Sequence, residues 1–292
     1  MGDYPDIRVI VAPYDSGHRS LRMGAGPEHL VDGGLGEALR TAGRSPSFAT
    51  VRLERDPPAE VATAFELDGL ISEQVRGALT DGHFPLVLSG NCNASVGTIA
   101  GAGPEGLGIV WFDAHADFNT PETTTTGFTD GMGLAVAVGH CWRKMAEGVP
   151  SFSPVAEEDV VLAGVRDVQP AEEERLAASK VTVVGAEPVR REGPRVLAKA
   201  LDELKTGVGR VYVHLDLDVL DAEKVGRANG FATKGGLSAE QLLATLGMVS
   251  GRFEVVAVGI ASYDPTFDAD GRVLSAALAC VEALTSPATP AV

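Results

Sequence analysis

The sequence predicts an α/β protein in which eight parallel strands alternate with helices. Short runs rich in Val and Ile recur along the 292 residues, and most are continuous, as in strands that are buried on both faces. Amphipathic stretches of helical length separate these runs. No Pro/Ser linker, charge block or internal repeat divides the sequence, so we expect one domain over residues 1–292, with 286–292 as a frayed tail.

The apolar runs are assigned to strands because of their length and their β-branched content. They cover residues 7–11, 48–53, 85–88, 107–112, 159–165, 181–184, 211–216 and 255–260. The stretches between them have the period of helices, and Gly82, Gly185 and Gly207 stand near element ends, where a positive φ is often needed. The predicted helices cover residues 27–42, 60–79, 93–101, 131–147, 170–178, 192–206, 238–250 and 271–284.

The same alternation would also suit a closed barrel of eight strands and eight helices. Two features favour an open sheet with helices on both faces, a three-layer αβα architecture. The strands are unevenly spaced, with more than 40 residues between the fourth and the fifth. In addition, the acidic motifs of the chain cluster at the ends of few strands.

Composition excludes several classes of protein. The chain has 24 basic and 40 acidic side chains, a formal net charge of −16, so its surface should repel nucleic acid and attract cations. An apolar content of 45% is too high for a disordered chain. No apolar run reaches the ~18 residues of a membrane span, and the first ten residues lack the basic start of a secretory signal. Three irregularly spaced cysteines (Cys92, Cys141 and Cys280) suggest free thiols in a reducing cytoplasm.

Two acidic segments stand where predicted strands end. The segment 113–119 follows the fourth strand and contains two Asp and one His, while Asp216 and Asp218 end the seventh strand. Ligand sites lie at the carboxyl ends of parallel strands, and four carboxylates cannot be buried together without cations. One Asp-x-Asp alone would equally suit a strand-end cap. Two such segments, one with a His, instead predict two divalent cations, of which Mn²⁺, Mg²⁺ or Zn²⁺ suit such ligands.

These motifs resemble those of the ureohydrolase superfamily, which comprises arginases, agmatinases and formimidoylglutamases. Asp-Ala-His-x-Asp-x-Asn at 113–119 is similar to the first signature of that superfamily, and Asp216-x-Asp218 is similar to the second. Segments at 13–27, 165–167, 235–238 and around Pro265 follow in the family order. The resemblance implies an arginase-like αβα fold, a two-metal centre and a homo-oligomer, either a trimer or a hexamer.

The resemblance also implies a role for each ligand. Asp113 and Asp216 would bridge both ions, Asp117 would complete one site, and His115 with Asp218 would complete the other. Mn²⁺ is the metal that the family would use, and a bridging hydroxide would attack the amidine carbon of a small cationic guanidine or amidine. Two cations ~3.5–4 Å apart can hold such a nucleophile at neutral pH. His115 is therefore also expected to contribute to catalysis.

One metal position departs from the family pattern. The family's Gly-Gly-Asp-His-Ser supplies a His ligand, but residues 89–93 read Ser-Gly-Asn-Cys-Asn, so Cys92 takes that place. We expect Cys92 to bind metal, although a buried free Cys often only packs. A thiolate would add negative charge and would suit Zn²⁺ or Fe²⁺ better than Mn²⁺. Weaker Mn²⁺ binding at this site is expected.

Other departures concern the substrate. The family's proton-shuttling His corresponds to Asp130, which could relay a proton or could be a solvated loop residue. Its guanidinium-binding Glu corresponds to Ser262, and Asp264, two residues on, would face the same way along a strand. The residues that correspond to arginase substrate contacts are Asn119, Thr126, Phe128 and Gln169.

Cys92 and the segment 117–132 are most similar to the branch of the superfamily that hydrolyses Nω-hydroxy-L-arginine. The resemblance thus implies hydrolysis of a linear guanidine or amidine C–N bond, with Nω-hydroxyarginine or another modified guanidine as substrate. The alternative is a non-catalytic binder or scaffold, because Cys92, Asp130 and Ser262 each replace a family residue. Retention of all four Asp favours the enzyme, since a costly acidic cluster without metal makes little physical sense.

Overall fold

Eight parallel strands form the central sheet of the protein, whose computed structural model describes residues 6–54 and 59–285. The strands are β1 (Ile7–Ala12), β2 (Pro46–Thr50), β3 (Phe84–Ser89), β4 (Leu107–Phe112), β5 (Val160–Val165), β6 (Thr182–Gly185), β7 (Arg210–Asp216) and β8 (Glu254–Ala261). They lie in the order β2-β1-β3-β8-β7-β4-β5-β6. The sheet is open, with β2 and β6 at its edges, so it is not a barrel. A short antiparallel pair, Tyr14–Asp15 with His18–Arg19, follows β1.

Helices connect successive strands, as parallel pairing requires. They are α1 (Gly26–Leu30), α2 (Gly36–Thr41), α3 (Glu60–Thr80), α4 (Ala94–Ala102), α5 (Gly133–Ala137), α6 (Arg143–Ala146), α7 (Pro170–Ala178), α8 (Ala186–Glu192), α9 (Val196–Gly207), α10 (Ala239–Ser250) and α11 (Arg272–Thr285). A π-helical turn, Val31–Leu35, joins α1 to α2. Within the described ranges, none of these helices has both the length and the apolarity that crossing a bilayer requires.

Successive residues of the strands are buried on opposite faces of the sheet. In β4, Val110 and Phe112 belong to one apolar cluster, while Ile109 and Trp111 belong to the other. The first cluster includes side chains from α1, α2 and α8 to α11, and the second includes side chains from α3 to α7. This arrangement confirms the three-layer αβα architecture and explains why the strand sequences are continuously apolar.

All eight predicted strands are present, with ends that shift by up to three residues, but two predicted helices are wrong in their continuity. The helix predicted over 131–147 is two short helices, because Gly139 and Trp142 adopt positive φ between them. Positive φ at Gly34 likewise interrupts the predicted helix 27–42. The helix predicted over 192–206 begins only at Val196, and α8, which Gly193 separates from it, was not predicted. The predicted frayed tail, 286–292, lies outside the described residues.

Candidate metal centre and substrate cavity

The candidate site lies where four neighbouring strands end. β3, β8, β7 and β4 are adjacent in the sheet, so the residues that follow them meet at one edge. Cys92 Sγ lies 3.0 Å from Asp216 Oδ2 and 3.3 Å from Ser262 Oγ, although 124 and 170 residues separate these pairs along the chain. The sheet order therefore brings together the first and second acidic segments and the loop after β3.

Two groups of potential ligands form the floor of the site. Cys92, Asp113 and Asp216 make one group, and Asp113, His115 and Asp218 make the other; within each group the ligand atoms all lie within 4.8 Å of one another. Asp113 belongs to both groups, as a bridging ligand would. Asp216, the second expected bridge, belongs to the first group only.

Asp117 is the one predicted ligand that lies outside both groups. It is 5% exposed, adopts a positive φ and lines the same cavity. Its buried Oδ2 has no hydrogen-bond partner in the described part of the chain. A buried carboxylate oxygen without a donor is costly, and a cation is the partner that its position suits.

The donor set fits divalent cations better than it fits an empty core. Burial, and after it the nearby Asp216, raises the pKa of the Cys92 thiol well above its usual value. Burial likewise raises the pKa of Asp216 and of Asp117. The cluster thus cannot carry its full negative charge unless positive charge joins it, and cations that displace its protons would supply that charge.

His115 lies on the opposite side of the cluster. Its Nδ1 is 3.4 Å from both Asp113 Oδ1 and Asp218 Oδ2. Burial alone would lower the pKa of His115, but the Asp218 and Asp113 carboxylates raise it. Burial would conversely raise the pKa of Asp218, and His115 lowers it. A divalent cation at this position would bind the neutral imidazole and replace any proton on it.

Hydrogen bonds orient the carboxylates. Trp111 Nε1 donates to Asp113 Oδ2 over 3.0 Å, and the His115 backbone N–H donates to Asp113 Oδ1 over 2.8 Å. The Asp218 backbone N–H donates to Asp216 Oδ1 over 2.8 Å. Each aspartate is therefore held in one rotamer by the turn that follows its strand, which reduces the reorganisation that metal binding would require.

Asp130 lies beside the loop that carries Cys92. Asn91 Nδ2 donates to Asp130 Oδ2 over 2.9 Å, and the Asn93 backbone N–H donates to Asp130 Oδ1 over 3.2 Å. The carboxylate thus binds the residues on either side of Cys92, and it also faces the cavity. Burial raises the pKa of Asp130 to about 7. It is a buried group with structural contacts rather than a solvated loop residue.

A cavity of about 270 Å³ opens above the floor. Its wall includes five of the six residues that the sequence suggests for substrate binding, namely Asn119, Thr126, Phe128, Gln169 and Ser262. Gln169 is also the N-cap of α7, where it forms a capping box with Glu172. Asn119 Oδ1 accepts a hydrogen bond from Thr123 Oγ1 over 3.0 Å, so its amide is oriented before any ligand binds.

The structure does not bring Asp264 into this cavity. Its Oδ1 accepts hydrogen bonds from the backbone N–H and the Oγ1 of Thr266, over 3.0 and 2.7 Å. The expectation that Asp264 faces the same way as Ser262 is wrong because β8 ends at Ala261 and Ser262 has a positive φ of 63°. The two-residue repeat of a strand does not continue past that point.

Several residues of the site were not identified from the sequence. Asn229 Nδ2 donates to Asp218 Oδ2 over 3.3 Å and to the Ser262 carbonyl over 2.8 Å, so it joins the second acidic segment to the end of β8. Phe231 stacks on Phe128 with ring centroids 5.5 Å apart. The only sequence signal for this loop was the polar stretch between Asp218 and the predicted helix 238–250.

A parallel sheet that gathers carboxylates, an imidazole and a thiol beyond its central strands defines an α/β protein with a candidate metal centre. The model of the arginase family matches residues 5–285. The arginase of Bacillus caldovelox is 28% identical over 294 residues, which cover 95% of this chain and 97% of that protein. The chain therefore belongs to the arginase family.

Solved structures agree with this assignment. A crystal structure of arginase from Bacillus subtilis superposes with a TM-score of 0.88 at 26% identity, covering 97% of this chain and 99% of that chain. The formimidoylglutamase of Bacillus subtilis, at 18% identity and a TM-score of 0.73, covers 97% of this chain and 87% of its own and shares the fold. The resemblance to the ureohydrolase superfamily is thereby confirmed.

Proposed function

We propose that this protein is a metal-dependent amidinohydrolase that cleaves the C–N bond of a linear guanidine or amidine. The observation that carries the proposal is the pair of ligand groups that share Asp113 at the floor of a cavity. Family membership supports the same reaction class. Water adds to the amidine carbon, the bond to the alkyl nitrogen breaks, and that nitrogen leaves as a protonated amine, with urea or a urea analogue as the second product.

The residues for the metals divide as the two signatures suggest. Asp113 and Asp216 would serve both ions; Cys92 and Asp117 would complete one site, and His115 and Asp218 the other. When bound, the two ions would lower the pKa of a shared water and so provide the nucleophile near neutral pH. Mn²⁺ is the metal that the family suggests, and the Cys92 thiolate would favour Zn²⁺ or Fe²⁺ at its own site.

The chain's own residues favour a guanidine of reduced basicity. Ser262, which corresponds to the family's guanidinium-binding Glu, is neutral, and its Oγ contacts Cys92 Sγ at 3.3 Å. This position therefore provides no counter-charge for a full guanidinium. A hydroxylated guanidine such as Nω-hydroxy-L-arginine is less cationic and is a better electrophile, which compensates for a metal centre weakened by Cys92.

Asp130 is the residue that we propose for proton transfer to the leaving amine, because it lines the cavity at the Cys92 side. We propose that His115 contributes to catalysis as a metal ligand, because it lies beside Asp113 and Asp218. The acidic charge of the chain supports a cationic substrate. A homo-oligomer and a cytoplasmic location stay predictions.

Metal content and product release test this proposal together. Protein purified without chelators from Mn²⁺-supplemented cells should contain close to two ions per chain by elemental analysis. It should release amine from at least one of L-arginine, agmatine and Nω-hydroxy-L-arginine, and chelator-stripped protein should release none. Two bound ions with no product from any guanidine would support the non-catalytic alternative, whereas one ion or fewer would indicate that the Cys92 site is weak.

A further inference from the structure

A second, larger cavity continues outward from the candidate site. Its volume is about 670 Å³, and it shares Met23, Thr126, Phe128 and Phe231 with the inner cavity. The two cavities therefore adjoin at these four residues. A molecule whose guanidine reaches the floor has room for its far end in the outer cavity.

Aromatic side chains are concentrated at this junction. Phe128 and Phe231 stack with an interplanar angle of 25°, and Phe267 lines the outer cavity beside them. Phe231 is 54% exposed and Phe267 is 41% exposed. Large apolar side chains exposed together mark a surface that binds something, whereas scattered ones need no explanation.

Hydrogen bonds through Asn229 connect the backbone of Phe231 to the floor of the site. Its backbone N–H donates to Asn229 Oδ1 over 2.8 Å, and the amide of Asn229 donates to Asp218 and to the Ser262 carbonyl. Arg227 Nη2 donates to the Gly230 carbonyl over 2.8 Å within the same loop. These hydrogen bonds therefore hold Phe231 at a fixed position relative to the metal ligand Asp218, as a substrate subsite requires.

The three carboxylates of the outer cavity, Asp15, Glu60 and Asp264, are already bound to protein partners. Asp15 pairs with Arg22 at 3.0 Å, Glu60 accepts hydrogen bonds from the N–H and hydroxyl of Thr129, and Asp264 accepts from Thr266. Recognition of a cationic tail by these carboxylates would have to exchange those contacts. Phe128 and Phe231 stack on each other and the Arg227 guanidinium lies over the Phe267 ring, but Phe231 and Phe267 still expose apolar surface that is open to a ligand.

We propose that the outer cavity is a subsite for an aromatic or flat apolar group at the end of the substrate opposite its guanidine. This inference rests on the proposed function and narrows its substrate class. The substrate would then be a capped or extended guanidine rather than a free amino acid. Continuity with the inner cavity favours the substrate's own tail over a protein partner as the occupant.

Two product-like probes that differ only in the ring test the subsite. Nα-benzoyl-L-ornithine and Nα-acetyl-L-ornithine carry the same charges and lack the guanidine, so their binding is measured by calorimetry without turnover. We expect the benzoyl compound to bind about 3- to 10-fold more tightly, as one aromatic stack allows. Phe231→Ala should bring the two affinities to within about twofold of each other, while Phe231→Trp should keep the preference.

Phe48→Ala is the matched control, because Phe48 is also an exposed Phe but lies on the edge strand β2. It should leave the preference unchanged. Equal affinity of the wild-type protein for both probes would overturn the subsite, as would a change of oligomeric state in Phe231→Ala with an equal loss for both probes.

The same probes separate this inference from the proposed function. A benzoyl preference in a protein that hydrolyses none of the guanidines, Nα-benzoyl-L-arginine included, would leave the subsite standing and the amidinohydrolase proposal refuted. Hydrolysis of guanidines without any benzoyl preference would refute the subsite alone.

Discussion

The metal-ligand residues at the floor of the site and the loop residues that line the upper wall of the inner cavity, here called the mouth, differ in their structure. The floor consists of buried residues that directly follow sheet strands, such as Asp113 after β4 and Asp216 at the end of β7. The mouth consists of loop residues that are partly exposed, such as Thr126 and Phe231. By the resemblance of its motifs, the floor is expected to keep the family's ligand types except at Cys92, whereas the mouth is expected to depart at most positions. The strands thus define the reaction class, and the loops define the substrate.

The largest effect is expected from removal of a floor carboxylate. Asp216→Ala should abolish amine release and reduce metal affinity by more than about a hundredfold, because even outer partners of a metal ligand contribute about 10–100-fold. Elemental analysis and product assays measure both. Asp202→Ala, which removes an exposed carboxylate from α9, should change neither. Turnover that persists in Asp216→Ala would refute the two-metal proposal.

The next effect concerns the one floor residue that departs from the family. Cys92→His should tighten Mn²⁺ binding about tenfold, because imidazole suits this ion better than a thiolate does. Titration calorimetry on chelator-stripped protein measures the change, with Cys141→Ala as the control for loss of a buried thiol. Unchanged Mn²⁺ affinity would mean that Cys92 packs beside the centre without binding metal.

Asp130 contacts the Cys92 loop of the floor and also faces the cavity, so its substitution tests whether it supports the metal site or transfers a proton. Asp130→Asn replaces one acceptor by a donor that faces Asn91 or the Asn93 N–H, and the Cys92 loop should loosen. We expect metal affinity at that site to fall about tenfold. The thiolate-to-cobalt absorption of Co²⁺-loaded protein reports on this site. A fall in kcat with the absorption titration unchanged would indicate that proton transfer is the only role of Asp130.

The smallest effect is expected at the mouth. Gln169→Asp should raise kcat/KM for free L-arginine about threefold, because a carboxylate would face the α-amino group in a partly exposed, screened position. Asp is also a good N-cap, so α7 should still form. Gln169→Asn keeps the cap without the charge and should give no gain. An equal gain in both variants would show that charge at this position is irrelevant.

The sequence predicts the floor better than the mouth for a physical reason. A buried strand is recognisable from continuous apolar content, and the residue after it has a defined place at the sheet edge. Parallel pairing of such strands is therefore enough to place Asp113, His115, Asp216 and Asp218 beside one another. The place of Cys92 beside Asp216 was expected from the family pattern at residues 89–93 rather than from strand pairing, because Cys92 lies in a loop beyond the end of β3.

The mouth depends on backbone features that one sequence does not reveal. The positive φ of Ser262 turns Asp264 away from the site, although Ser gives no signal for that conformation. Trp142 similarly breaks a helix that its neighbours would support. The stack of Phe128 on Phe231 joins loops that are more than 100 residues apart, and nothing local in either loop encodes the other.

The sheet order also sets when the site can exist during folding. Cys92 meets Asp216 and Ser262 only after β7 and β8 have joined β3, and β8 is the last strand of the described chain. Closing loops of this length is slow compared with forming local helices. A nascent chain that stops before β8 lacks Ser262 and the neighbour on which β3 and β7 align. Metal capture would therefore follow completion of the sheet, and retention of ions would report that the last strand has been inserted.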